Sequence, residues 1–515
     1  MASATSEDEA LWVGLDLGTQ SVRALVASAS GRVVGSGSRP LARRRDGSRH
    51  EQDPDQWWDG LAAASRAALE GVAPERVCGV AADGTSGTVL LVDGAGAAIT
   101  PGLMYDDARA GEQAQRANEV GGVWRSLGYR FQAGWALPKV LWMVEEWPEL
   151  VAGARLAHQP DYITRRLVGQ EVPADSSHAL KTGYDLLGEA WPCGPLDELG
   201  VPAELMPDVV RSGSQLGEVC EEAARQTDIP AGTPVIAGMT DGCAAQLAAG
   251  AVGEGQWNSV LGTTLVLKGV SSKLIRDPTG VLYSHRAPGG AWLPGGASNT
   301  GAGVLSASFP ERDLDELTRH AADHERTGVL AYPLHSRGER FPFAAADAEG
   351  FMLGEPADEG EHFAALLHGL AYIERLCLDY VGLLGARVDG ELALTGGATR
   401  NRYLCQLRAD VLGRPVRLLE SAESAFGMAL LAASVGRSTA EVASEMVRPR
   451  EVIEPRPDRV ERFHEPYARL LSELEQRGWL DPEVAEHARP LRAAGQRGAG
   501  GCAPPTHRSS DVHAG

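Results

Sequence analysis

At 515 residues the chain exceeds what one hydrophobic core usually serves, so two large domains are expected. A net charge of −21, with Lys and Arg scattered rather than gathered, gives the phosphate backbone of nucleic acid no basic footprint and excludes it as the main partner. Seven cysteines (Cys78, Cys193, Cys220, Cys243, Cys377, Cys405, Cys502) make an odd set without CxxC spacing, which excludes a disulfide framework or zinc site and leaves buried or free thiols.

The acidic start Met1 to Trp12 lacks the basic segment and apolar core of a secretory leader. No stretch approaches the roughly 18 uninterrupted apolar residues of a membrane span, so no membrane partner is expected and the protein is read as soluble and cytoplasmic. Leu11 to Val26 (LWVGLDLGTQSVRALV) runs apolar strand, acid, Gly-Thr, hydroxyl residue, apolar strand, and Gly31 to Pro40 reads as a third antiparallel strand. After His50 to Pro54, Gln56 to Leu69 keeps helical apolar spacing at Trp57, Leu61, Ala64, Ala68 and Leu69 behind a Pro in the first turn. Val77 to Ala82 is a buried strand, followed by the glycine-bounded polar loop Asp83-Gly84-Thr85-Ser86-Gly87 and a strand from Thr88 to Asp93. Small hydroxyl residues at a strand end are common ligand positions.

Met104 to Arg109 (MYDDAR) gathers an aromatic, two acids and an arginine before a helix beginning near Glu112. As a helix start it is a solvated ion pair; as a site it suits a hydroxyl-rich ligand, which carboxylates and a guanidinium can fork. Leu127 to Glu149 is mostly core helix with Pro138 near its start, and Ala157 to Leu167 continues as a helix. Val172 to Asp185 is an ordered loop near the cleft, where His178 and Lys181 could touch ligand but are expected to make ordinary surface or loop contacts.

In Pro234 to Gly269 a buried strand from Val235 is broken by Gly238, and Asp241 opens a small-residue helix, Gly242 to Ala251. Ser259 to Lys268 then reads as two strands joined through Gly262-Thr263-Thr264, whose N–H groups and hydroxyls can hold phosphate oxygens. Taken singly, Asp241 is an N-cap and Gly-Thr-Thr a hairpin turn. The recurrence of the turn in distant halves suggests a duplicated phosphate clamp closing on a nucleotide, with Asp241 beside it for phosphoryl transfer.

Further on, Asn299 to Gly303 is a small polar turn entering a helix, Leu330 to Pro342 a strand and loop, and Phe363 to Leu384 a long amphipathic helix. Glu391 to Thr395 is a strand ending in Gly396-Gly397-Ala398, with a helix from about Asn401 through Val411. Gly413 to Leu419 is a strand, and Ala422 to Val435 a small-residue helix in which Gly427 marks tight packing. Arg459 to Gly478 is helical, and from Arg489 the composition is that of a disordered tail.

Together these segments resemble the FGGY carbohydrate kinases of the actin-like, sugar-kinase and heat-shock-protein-70 ATPase superfamily. The resemblance spans about Leu11 to Arg437 through GLDLGTQS, EQDPDQWW, PKVLWMVEE, GMTDGCAAQLAAGA, SVLGTTLVL and LTGGATRN; Ala136 departs from the Pro, Ser or Thr usual in the family's first signature. It implies an α/β fold of two ribonuclease-H-like (actin-like ATPase) domains, each a mixed five-stranded sheet flanked by helices, with an interdomain cleft. The boundaries expected are a disordered 1–10, an N-terminal domain 11–240, a C-terminal domain 241–484 and a disordered tail 485–515.

The resemblance also implies ATP and Mg²⁺ as cofactors and a small-molecule sugar as substrate. Asp241 is implied as the catalytic base and Asp16 as the Mg²⁺ residue, reached through water. Gly18, Thr19, Gln20 and Ser21 would face the phosphates opposite Gly262, Thr263 and Thr264, and Gly301, Gly303, Gly396, Gly397, Ala398 and Asn401 would line the adenosine pocket. Thr85, Ser86, Asp106, Asp107 and Arg109, with Asp241, are the sugar candidates. Because the loop Asp83 to Gly87 differs from the Gln-Met-His-Gly of many xylulose kinases and resembles the plant and cyanobacterial D-ribulose kinase branch, the sequence favours D-ribulose, phosphorylated at its C5 hydroxyl, over D-xylulose. A non-catalytic scaffold and a sugar-independent ATP or polyphosphate hydrolase are the other classes; the former would have lost Asp16, Asp241 or a phosphate turn, and none is lost. A monomer or homodimer is expected.

Overall fold

A computed structural model describes residues 9–489, so Cys502 and nearly all of the expected tail lie outside the described residues. The N-terminal lobe is built on a six-stranded sheet in the order Gln215–Glu218, Pro234–Ile236, Val77–Gly84, Leu11–Leu17, Ser21–Ser28, Val33–Pro40. Leu11–Leu17 runs antiparallel to Ser21–Ser28 and parallel to Val77–Gly84, which pairs in parallel with Pro234–Ile236. The second lobe repeats this plan in a seven-stranded sheet: Tyr283–Arg286, Trp292–Ser298, Leu265–Gly269, Trp257–Leu261, Leu392–Thr395, Val416–Leu419, Pro449–Ile453. There Trp257–Leu261 lies between its antiparallel hairpin partner Leu265–Gly269 and the parallel strand Leu392–Thr395.

The two sheets are therefore mixed and helix-flanked as expected, but larger than five strands. A separate five-stranded sheet (Arg44–Asp46, Arg49–Gln52, Gly102–Leu103, Val89–Val92, Arg155–His158) extends the N-terminal lobe. Its last strand takes the start of the helix expected from Ala157: Pro160 falls in the first turn of Gln159–Val168, and Asp161 reaches back to the His158 N–H, fixing the helix start after His158. The expected loop 172–185 folds instead into two short helical turns, Ser176–Ala179 and Leu180–Thr182, capped by Asp175. At the other end the helix Pro482–Ala488 crosses the boundary expected at 484, with Val484, Ala485 and Ala488 buried.

Each lobe has its own apolar core. The N-terminal one gathers Leu11, Val13, Leu15, Trp57, Leu61 and Val80; the C-terminal one gathers Trp257, Leu267 and the buried positions of the 25-residue helix Glu359–Leu383. The lobes meet through two small-residue helices, Asp241–Ala248 and Ser424–Ala433. A Cβ added at Gly427 would stand 2.0 Å from the Ala244 carbonyl oxygen, and one at Gly14 would stand 1.7 Å from that of Ala425. The second helix thus lies in backbone contact with both the first helix and the central N-terminal strand, a spacing that only glycine permits. Among the described residues no helix is long and apolar enough to cross a membrane, and Cys78, Cys193, Cys220, Cys243, Cys377 and Cys405 are free thiols.

Candidate active site

Three neighbouring strand ends in the N-terminal sheet carry acids to one place. Asp16 and Asp83 are register partners, and Gly84 bridges to Thr240, the N-cap residue before Asp241. They border a cavity of about 520 Å³ between the lobes, lined from the N-terminal side by Asp16, Gly18, Thr19, Thr85, Ser86, Tyr105, Asp106 and Lys181. Asp241, Gly242 and Ser424 form its floor, and Thr264, Lys268, Tyr283, His285 and Arg340 stand on the C-terminal wall.

Asp241 accepts a hydrogen bond from the Gly242 N–H at 2.8 Å, so the carboxylate is fixed at the first turn of its helix. Burial raises its carboxyl above the usual range, opposed by that N–H and by the positive charge of Lys181, His178 and Lys268. Burial likewise raises Asp16 and Asp83; at Asp16 the Arg23 guanidinium, 3.6 Å away, works in the opposite direction. Asp83 is fully buried and neither of its oxygens has a hydrogen-bond partner among the described residues. Packing two such acids beneath a third concentrates negative potential at one end of the cavity.

Lys181 reaches the cavity lining and His178 is fully buried off it, in place of the ordinary surface or loop contacts expected of both. Lys181 Nζ donates to the Ser86 carbonyl at 2.9 Å, and burial lowers its ammonium to about 8. His178 is fully buried between Asp175 Oδ2 at 2.7 Å and the Gly84 carbonyl at 3.2 Å, although burial works against its charge. Both come from the turn that the Asp175 cap starts. The sequence carries no apolar period there to mark burial.

The first Gly-Thr turn is held by a residue that sequence reasoning passed over: Gln52 donates to the Thr19 carbonyl at 2.7 Å while accepting from the Trp57 indole at 2.7 Å. Gly18 N–H closes the turn onto the Ser21 carbonyl at 3.1 Å. Gly18 and Thr19 line the cavity; Gln20 is exposed and Ser21 begins the next strand, both off the lining. In the second turn Thr264 lines the cavity, whereas Gly262 and Thr263 bind the segment behind it, accepting from the N–H groups of Ala302 at 2.8 Å and Gly303 at 3.2 Å. Glu339, 5% exposed, accepts from Ser298, Thr300, Tyr332 and the Asn299 N–H, pinning this segment and setting Arg340 into the cavity.

The sugar candidates divide. Ser86 Oγ is buried on the lining without a partner, whereas Thr85 spends its hydroxyl and N–H on Thr88 and Gln159. Asp106 lines the cavity, held by His50 Nδ1 at 2.6 Å and by Arg45. Asp107 and Arg109 do not line it. Asp107 is fully buried under the His50 N–H and a two-pronged Arg109 contact, and Arg109 also reaches Glu51 at 2.6 Å and stacks 4.7 Å from the Trp142 ring centre. Their charges satisfy each other, which a string of adjacent letters does not reveal.

The expected adenosine residues do not line the cavity and sit around the second turn of the C-terminal sheet. Gly396 has φ +86°, and a Cβ there would meet Leu261 backbone at 2.6 Å; at Gly397 it would meet nothing within 4 Å. Gly397 and Ala398 lie in the short turn Gly397–Arg400, and Asn401 caps the following helix at Leu404 N–H while donating to Thr318 Oγ1. Gly301 and Gly303 press against the second turn, where a Cβ would fall 2.3 Å and 3.0 Å from the Thr263 carbonyl oxygen.

A half-buried acid opening an interlobe helix, flanked by two Gly-Thr turns on duplicated sheets, is an arrangement suited to in-line transfer between a hydroxyl and a phosphate chain. The architecture is shared with known sugar kinases. The structure superposes with a TM-score of 0.81 on the xylulose kinase of Rhodospirillum rubrum, 26% identical, covering 90% of this chain and 99% of that one. Gluconate kinase from Lactobacillus acidophilus, at 18% identity, shares the fold with a TM-score of 0.83 over 91% and 98%. In sequence, the xylulose kinase of Streptomyces rubiginosus is 33% identical over 445 residues, covering 84% of this chain and 90% of that protein. Residues 11–248 match the N-terminal domain, and 257–435 the C-terminal domain, of the FGGY family of carbohydrate kinases. Spanning both halves of that pattern, the chain belongs to the FGGY family and is an ATP-dependent sugar kinase.

Proposed function

We propose that the protein transfers the terminal phosphoryl group of ATP to the terminal hydroxyl of a ketopentose, with D-xylulose the leading substrate and D-xylulose 5-phosphate the product. The observation that carries the chemistry is Asp241, fixed at its helix start inside a polar cavity and faced by Lys181 and Lys268. The sugar is argued from relatives: xylulose kinases from Streptomyces rubiginosus, Bacillus subtilis and Escherichia coli all match over most of this chain. This reverses the preference drawn from the loop at Asp83 to Gly87. D-Ribulose stays as the second reading because Ser86 presents an unpartnered hydroxyl to the cavity, and the two sugars differ at one stereocentre.

In this reading Asp241 orients the attacking hydroxyl and takes its proton as the O–P bond forms; a carboxyl raised by burial is a better base than a free one. Lys181 favours the ionised state of Asp241. Thr19 and Thr264 offer hydroxyls to the phosphate oxygens from two sides, while Gly18, its N–H spent on the turn, leaves room for them to approach the backbone. Among the described residues no three His, Cys, Asp or Glu are grouped to hold a metal directly, while Asp16 faces the cavity amid mutually repelling acids. That set fits a hydrated Mg²⁺ held by Asp16 through water, which when bound with the nucleotide neutralises phosphate charge. Gly396, Gly397 and Ala398 give the adenosine a backbone edge, and Asn401 acts through the helix it caps.

The deciding experiment is ADP release by purified protein with Mg²⁺ and ATP, comparing D-xylulose, D-ribulose, L-ribulose, D-sedoheptulose, glycerol and no sugar. The reading expects kcat/KM to be highest for D-xylulose. A clear D-ribulose preference restores the loop argument and keeps the mechanism. ATP turnover independent of sugar, or none with any ketopentose, overturns the reading.

A further inference from the structure

Lys268 and His285 stand on two strands of the C-terminal sheet, Leu265–Gly269 and Tyr283–Arg286, separated by the strand Trp292–Ser298. Lysine reaches across because its register partner is Gly295, where an added Cβ would lie 2.8 Å from Lys268 Cγ. Its stem also runs within about 4 Å of the Cβ position of Gly242, beside the candidate base. Lys268 Nζ meets His285 Nδ1 at 2.9 Å and the Leu293 carbonyl at 3.4 Å. Both side chains line the cavity, at 5% and 2% exposure.

An ammonium group has only donors, so His285 Nδ1 accepts and the imidazole proton resides on Nε2. That N–H is buried and has no acceptor among the described residues. The other charged side chains on this wall and opposite it, Arg340 and Lys181, are also donors, whereas the acceptors Asp16, Asp106 and Asp241 stand on the N-terminal side and floor. A sugar hydroxyl both donates and accepts, but a carbonyl oxygen only accepts, and a wall whose charged groups and free imidazole N–H are all donors suits it best.

We propose that Lys268 and His285 form a specificity-determining pair, in which Nε2–H of His285 hydrogen-bonds the ketose carbonyl and Lys268 fixes the tautomer that makes this possible. The proposal rests on the ketopentose kinase reading and deepens it. It makes the wall select ketoses over the alditols of the same chain length.

The test compares wild type with Lys268→Met, His285→Phe and His285→Gln, measuring kcat and KM for ketopentose and ATP and inhibition by xylitol and ribitol. His285→Phe keeps a ring against Tyr283, 5.5 Å away between centroids, and removes both nitrogens. KM for the ketopentose is expected to rise at least about tenfold in Lys268→Met and His285→Phe, the scale of losing a buried hydrogen bond to substrate. KM for ATP stays within about twofold and alditol inhibition changes by less than about threefold, while His285→Gln, which retains a donor, recovers part of the loss. Nitrogen-15 NMR of the unmutated protein should find His285 as the Nε2–H tautomer. Folded variants with an unchanged ketopentose KM overturn the proposal, as does an Nδ1–H tautomer, which decides alone if the variants fail to fold. Wild type without ketopentose turnover removes the kinase reading and this proposal with it; active wild type with unaffected variants removes this proposal only.

Discussion

Gly301→Ala separates the duplicated turn as phosphate holder from the turn as mere hairpin. The segment carrying Gly301 is stapled to the second turn: Leu265 N–H donates to the Thr300 carbonyl and Ala302 N–H to the Gly262 carbonyl, both at 2.8 Å. A Cβ at 301 would stand 2.3 Å from Thr263 oxygen and 2.4 Å from Thr264 Cα, against roughly 3.5 Å for an unstrained contact. Both obstacles are backbone, so no side chain can swing aside, and the turn must retreat by about 1 Å. Overpacking of this kind costs about 1–3 kcal/mol of stability, leaving a protein that folds. Displacing a positioning group by about 1 Å costs on the order of a hundredfold in rate, so kcat/KM for ATP is expected to fall about that far. Coupled ADP release gives the rate, and calorimetric titration with the sugar alone should lose far less, since Ser86 and Asp106 lie on the other lobe and Lys268 and His285 stand on strands outside the turn. A folded variant whose kcat/KM for ATP stays within about threefold of wild type would refute the role of this turn in holding phosphate.

Asp241→Asn keeps an acceptor for the Gly242 N–H and should fold, yet lose at least about a hundredfold in kcat with KM for ATP little changed; near-normal ADP release would remove Asp241 from the chemistry. Lys181, with its ammonium lowered to about 8, is charged below that pH and neutral above it. Sugar kcat/KM should therefore fall as pH rises through about 8, and Lys181→Met should be lower and lack that step; a profile flat from pH 7 to 9 counts against it. Lys139 is fully buried, donates to the Met104 carbonyl at 2.7 Å, and has its ammonium lowered by burial to about 7. Between about 7 and the unfolded-chain value near 10.4 the unfolded state binds the extra proton, so stability rises with pH there, by up to about 1.4 kcal/mol per pH unit. Urea unfolding of Lys139→Met across this range should lack that slope, and identical slopes in the two proteins would refute the assignment.

Much of the fold was legible because it is written in local patterns. Apolar strands broken by Gly-Thr turns marked both hairpins, and Asp53-Pro54 announced the helix that buries Trp57 and Leu61. What escaped depended on contacts between distant segments. The stretch Val172 to Asp185 is polar and aperiodic, so burial of His178 and placement of Lys181 arise only once Asp175 and Gly84 are neighbours. Asp83 read as the first residue of a loop, whereas parallel pairing with Leu11–Leu17 sets it beside Asp16. Asp107 and Arg109 read as ligand groups because nothing in MYDDAR tells that His50 and Glu51 claim them. One local signal was overlooked: Lys268 interrupts an otherwise apolar strand, and a charge there has to find a partner.

The duplication extends to the backbone and stops at the charges. Aligning the turns on their Gly-Thr pairs sets Asp16 opposite Val260, so the second turn brings donors and no acid. Below Val260, Ser259 is committed to the buried Arg408–Glu374 pair, which fixes the strand from beneath. The acid that the second turn lacks is supplied by Asp241 on the interlobe helix, which Gly427 holds in backbone contact with the helix Ser424–Ala433. The acids Asp16, Asp106 and Asp241 therefore stand on the N-terminal side and floor of the cavity, with Lys181 among them, and the C-terminal wall carries no acid. In the proposed reaction a polyanionic phosphate chain would be repelled by these acids unless a cation intervened and drawn to the C-terminal wall, while a sugar hydroxyl would find its acceptor at the floor between them. Two identical turns could clamp a phosphate but could not assign the two ends of a transfer; losing the acid from one copy gives the cavity a direction.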